Sequence, residues 1–135
     1  MTKAGTPKDN LTRIREAYEM GFSATLENKN PPAGFKSKGQ VLALYPNGRL
    51  CVLTEAGYTE SWSAKHESLE ITSYLYMGEL GGSGEIKEGQ KFRVKETGEI
   101  WGYKTTLDYS MGFLLEKDDG YQDYFQPIEL EPYFN

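Results

Sequence analysis

Residues 120–125 read GYQDYF, and residues 57–62 read GYTESW. Both spell glycine, tyrosine, any residue, acid, any residue, aromatic. In an extended strand, side chains alternate between the two faces. Tyr121, Asp123 and Phe125 therefore share one face of a strand, as do Tyr58, Glu60 and Trp62. Each time a carboxylate stands between two rings.

Flanking segments extend the likeness. GQVLALYPNGRLCV (39–52) aligns without a gap on GQKFRVKETGEIWG (89–102), and SLEITSYL (68–75) aligns on PIELEPYF (127–134). The matches keep the same order in both halves, with about thirteen extra residues before GYQDYF in the second. This order predicts a duplicated small β unit. Asn47-Gly48 marks the first hairpin and Thr97-Gly98 the second. Further strands are expected at 71–77 and 111–117, with a glycine-rich connector at 78–85.

The N-terminal end reads differently. Thr6 is a candidate N-cap, Pro7 suits the first helical position and Asp9 a capping box. Leu11, Ile14 and Tyr18 recur at helical spacing beside Ala17, and Gly21 is a natural stop. So short a helix must bury that stripe against something else. Residues 28–34, NKNPPAG, then break regular structure. The expected organisation is a helix and Pro-rich connector over 1–36, a first β unit over 37–78 and a second over 79–135, packed together. The fold class is mainly β with one N-terminal α-helix.

Each β unit, with its opening strand, hairpin, aromatic strand and closing apolar-Glu-apolar strand, resembles Src-homology-3-like small barrels of the KOW and Tudor sort. The resemblance covers about residues 37–135 and implies binding of proteins, peptides or RNA rather than catalysis. EAYEMGFSATLENKNPP (16–32) resembles a segment of ribosome modulation factor and its small phage and bacterial relatives through Ala17, Tyr18, Gly21, Phe22, Ala24, Asn30 and Pro31. Pro32 replaces that family's next aromatic, and its strongly basic remainder is absent. This second resemblance implies a ribosome- or RNA-facing N-terminus.

Charge divides the chain. Residues 1–50 carry a net +4 and residues 51–135 a net −9. That distribution argues against nucleic acid wrapping the whole protein, but permits a basic anchor near the N-terminus. Cys51 is the single cysteine, which excludes an intramolecular disulfide and a cysteine-based metal site. With no long apolar run and no signal-peptide start, the chain is expected to be cytoplasmic and to have no membrane partner.

Little points to catalysis. His66 is the only histidine and sits in polar SAKHES, with no nucleophile elbow around Cys51 or any serine. GGSG (81–84) lacks the lysine and helix of a phosphate-binding loop. Glu116, Asp118, Asp119 and Asp123 do not have calcium-loop spacing. No enzyme activity, cofactor or metal is expected.

The aromatics carry the functional reading. Tyr58, Glu60, Trp62, Trp101, Tyr103, Tyr121, Asp123 and Phe125 are the candidate partner-binding residues. They form either a cage for a cation or core strands whose acids satisfy a rim donor. The second is favoured, because two copies of a fold must keep its folding residues while two ligand sites can diverge. The first-ranked function is a non-enzymatic protein-interaction module, an accessory or inhibitor protein of a bacterium or phage, engaging a basic partner. A homodimer is compatible with so small a unit. The second is an RNA- or ribosome-associated factor contacting phosphate through Lys8, Arg13, Arg15, Lys36 and Lys38. The third is a carbohydrate-binding module stacking sugars on Trp62 or Trp101.

Overall fold

The computed structural model describes residues 9–78, 86–107 and 112–134. Thr6, Pro7 and Lys8 lie outside the described residues, as do Met111 and the expected connector over 79–85.

One helix, α1 (Asn10–Glu19), precedes the strands. Its N-cap is Asp9, where the sequence pointed to Thr6. The Asp9 carboxylate accepts from the Thr12 backbone N–H at 2.8 Å, and hydrogen bonds from Thr12 hold it below its ordinary pKa. The apolar stripe docks as expected: Ile14 and Ala17 are fully buried, against the first and last strands of the first sheet. Gly21 ends the helix at φ 91, a left-handed conformation that glycine adopts without penalty.

The first sheet contains β1 (Phe22–Asn28), β2 (Lys38–Leu44), β3 (Arg49–Thr54), β4 (Thr59–Ser63) and β5 (Leu69–Tyr76), in the spatial order β4-β3-β2-β1-β5. The second contains β6 (Lys91–Val94), β7 (Ile100–Thr106), β8 (Phe113–Glu116), β9 (Gln122–Phe125) and β10 (Leu130–Pro132), in the order β10-β6-β7-β8-β9. All pairings are antiparallel. The fold is therefore mainly β with an N-terminal helix. Each sheet is a four-strand meander whose fifth strand returns beside the first.

β1 is the element the sequence concealed. It lies inside the first sheet, between β2 and β5, so that sheet begins at Phe22, ahead of the boundary expected at residue 37. Polar residues hide its strand character, yet the fold satisfies them. The Ser23 hydroxyl donates to the Val41 carbonyl, Gln40 Nε2 donates to the Ser23 carbonyl at 2.9 Å, and the Thr25 hydroxyl donates to Gln40 Oε1 at 2.7 Å.

This strand corrects the head of the internal alignment. Setting 39–52 on 89–102 matches β2–β3 with β6–β7, which occupy different places in their sheets. By connectivity, β2–β3 corresponds to β7–β8. The register agrees, since both pairs carry an irregularity at the same point, between Val41 and Ala43 and between Tyr103 and Thr105. The match of GYTESW with GYQDYF stands, whereas the pairings set Leu69 opposite Asn28 and Leu130 opposite Val94, so that Leu69 corresponds to Leu130, two residues beyond the place that 68–75 on 127–134 gives it. In the turn before GYTESW, Thr54 N–H donates to the Tyr58 carbonyl at 2.8 Å; before GYQDYF, Lys117 N–H donates to the Tyr121 carbonyl at 2.8 Å. Gly57 and Gly120 take φ values of 91 and 89 in these turns. Gly48 and Gly98 misled the head because each closes a hairpin, though not the same hairpin.

The correspondence makes Gly39 the counterpart of Trp101. A Cβ at Gly39 would collide with Val52 Cγ1 and lie 3.0 Å from the Leu53 carbonyl oxygen, so no side chain fits there. The closing segment also departs from expectation. IELEPYF is not one strand; a 3-10 turn over Pro127–Glu129 precedes β10. Pro127 suits its first position, and Glu129 accepts from the Gln126 N–H at 2.8 Å.

Aromatic rings join the two sheets. Phe22 of β1 lies 5.6 Å from Phe92 of β6, and Tyr76 of β5 lies 6.2 Å from Phe113 of β8. Phe92 and Phe113 are 5.8 Å apart, which closes a shared core.

Candidate functional site

The two aromatic-acid strands are built alike but do different work. On β4, Trp62 points inward and is only 5% exposed. Its indole N–H donates to Glu60 Oε1 at 3.0 Å. The same oxygen accepts from the Lys36 backbone N–H at 3.1 Å. Glu60 therefore ties β4 to the segment between β1 and β2, and the acid faces two protein donors. Tyr58, at the head of the strand, is exposed.

In the second sheet the ring cluster centres on Trp101 of β7. Tyr121 lies 5.9 Å from it and Phe125 5.0 Å. Lys117 Nζ stands 5.4 Å from the indole centroid and 3.2 Å from Glu99 Oε2. The hydrogen bond with Glu99 raises the Lys117 pKa above its ordinary value. The cation beside these aromatic rings is the chain's own Lys117. Asp123 takes no part: its Oδ1 accepts from the adjacent Tyr124 N–H at 2.8 Å, and the side chain is exposed. Tyr103 packs in the core against Phe113 and Phe92.

Truncating the two acids is expected to separate their roles. Glu60→Ala leaves the Trp62 indole N–H without its acceptor and is expected to cost about 1–3 kcal/mol of stability. Asp123→Ala is expected to stay within about 0.5 kcal/mol of wild type. Urea unfolding of both variants measures the difference; equal losses would contradict the assignment.

Burial sorts the remaining candidates. Trp62, Trp101 and Tyr103 lie in the core, and both indoles are almost wholly buried. Tyr121 is 59% exposed, and its neighbour Tyr124, which the sequence reading passed over, is 61% exposed. Both flank Asp123, and Asp118 and Asp119 are exposed in the preceding turn. Among the basic candidates, Arg15, Lys36 and Lys38 are exposed, whereas Arg13 is half-buried and its Nε is shielded from solvent. They occupy different elements: Arg13 and Arg15 lie on α1, Lys36 on the segment after β1, and Lys38 at the start of β2.

A recess of about 190 Å³ beside Trp62 was not foreseen. Pro32, Phe35, Arg49 and His66 contribute to its walls. His66 Nδ1 accepts from the Ser68 N–H at 3.1 Å. The available signal was Phe35, an aromatic in a proline-glycine segment, which is 40% exposed.

Comparison with protein-family models, with curated proteins and with solved structures finds no match. Among the described residues no helix is long and apolar enough to cross a membrane.

Proposed function

We propose that the chain is a non-enzymatic protein-interaction module, made of two Src-homology-3-like units by internal duplication, that binds a basic segment of a partner protein. An accessory or inhibitor role in the cytoplasm of a bacterium or phage-infected cell is part of this reading. The strand order supports the unit assignment, because in both sheets the fifth strand returns beside the first.

One observation carries the binding reading. β9 is an edge strand; Tyr124 within it and Tyr121 just before it are exposed, as are Asp118, Asp119 and Asp123 along the same segment. An edge strand keeps open backbone donors and acceptors that an extended peptide can pair with. Exposed tyrosines add contact area at low entropic cost. The carboxylates attract lysine or arginine, and the rings accept cations on their faces.

The test uses two baits side by side, the wild-type chain and a Tyr121→Ser, Asp123→Asn, Tyr124→Ser variant, at low and high salt. The proposal expects a basic protein retained by wild type, lost from the variant and released by salt. Equal capture by both baits would contradict it. An RNA-associated role is the second reading, favoured by the exposure of Arg15, Lys36 and Lys38. It predicts RNA binding that falls steeply with salt and is lost when these three are neutralised.

A further inference from the structure

The edges of the two sheets meet along β5 and β10, and a cavity of about 210 Å³ opens between them. Arg13 reaches it from α1, and Arg93 from β6. Two guanidinium groups thus come from opposite halves of the chain to one polar cavity.

Their partners are unequal. Arg93 Nη1 lies 3.7 Å from Glu131 Oε1, and its guanidinium stacks 5.1 Å from the Tyr133 ring centroid. Those contacts fix its plane. Arg13 has no such support: its Nε is buried with no hydrogen-bond partner among the described residues. A guanidinium fork is shaped to meet a planar carboxylate. Two arginines against Glu131 leave one unit of positive charge around the cavity, which a singly charged acid balances.

We propose that this cavity is a carboxylate-binding site, with Arg13 and Arg93 as its two anion-holding groups. The site is separate from the β9 edge and does not depend on it. Tyr74 also lines the cavity. Burial raises its pKa to about 12, so its hydroxyl keeps its proton at neutral pH and remains a donor. Because Arg13 lies on α1 and Arg93 on β6, an acid bound here bridges the helix and the second sheet. Binding to the folded state alone raises thermal stability.

The chemistry fits a free small acid or an acidic side chain of a partner, and the probes distinguish them. Wild-type protein is titrated with sodium acetate, N-acetylglutamate amide, sodium phosphate and sodium chloride at matched ionic strength. The readouts are Tm and the NMR signal of the Arg13 Nε–H group. The expected result is a saturable rise in Tm and a saturable Arg13 shift with acetate, the glutamate derivative or both, and neither with chloride. Acetate alone identifies a free acid as occupant; binding of the glutamate derivative admits a side chain. Arg13→Gln is expected to abolish the response, and Arg93→Gln to weaken it by about tenfold or more. Arg13→Lys keeps the charge but lacks the planar guanidinium fork; it is expected to lose the response too, and it serves if the glutamine variant fails to fold. Responses to acetate that match those to chloride, binding of phosphate alone, or a saturable response surviving both Arg13 substitutions would each overturn the proposal.

Discussion

Phe92→Ala is expected to destabilise the protein by about 3–5 kcal/mol, the usual cost of emptying a phenylalanine site in a packed core. Phe92 is fully buried at the crossing point of the two sheets. Its ring touches Phe22 from the first sheet and Phe113 and Tyr103 from the second. Truncation removes a transfer contribution and leaves a cavity walled by rigid rings, which have little freedom to collapse into it. The corresponding fall in Tm is on the order of 10–20 °C. Thermal unfolding followed by circular dichroism measures it. A loss below about 1 kcal/mol would mean that Phe92 is not a shared core residue.

Ile14→Ala is expected to cost about 2–5 kcal/mol. The ten-residue α1 cannot persist alone in water, so its stability comes from the face buried on β1 and β5. Ile14 is fully buried in that face, and Asn10 Nδ2 donates to the Leu69 carbonyl at 2.8 Å beside it. Glu19→Ala, on the exposed side of the same helix, is expected to stay within about 0.5 kcal/mol of wild type. Similar losses for the two substitutions, measured by urea unfolding, would place the helix outside the cooperative unit.

Local chemistry made much of the fold legible. Asn47-Gly48, Thr97-Gly98 and the two Gly-Tyr turns mark chain reversals through backbone preference alone, and the Leu11–Ile14–Tyr18 stripe marks the helix. What failed was correspondence over distance. β1 alternates poorly because Ser23, Thr25 and Asn28 sit in a strand covered on both sides, and the side chains of Ser23 and Thr25 find their hydrogen-bond partners on β2. With β1 unseen, the two similar hairpin glycines drew β2 onto β6.

The candidate site divides in the same way. The pattern of acid between rings was visible, but burial was not. Glu60 is structural because Trp62, two residues on, and Lys36, from a distant segment, point donors at it; the Lys36 contact is one that no local pattern encodes. The meeting of Arg13 with Arg93 is likewise tertiary, since α1 precedes the first sheet and β6 opens the second.

The central claim is that the two sheets form one cooperative core, and each sheet carries its own reporter. Trp62 lies in the first and Trp101 in the second. Following both indole N–H signals of the intact protein by NMR through a urea titration tests the claim directly. A shared core predicts that both native signals vanish with the same midpoint. Two separate midpoints, with one sheet persisting after the other has unfolded, would contradict it.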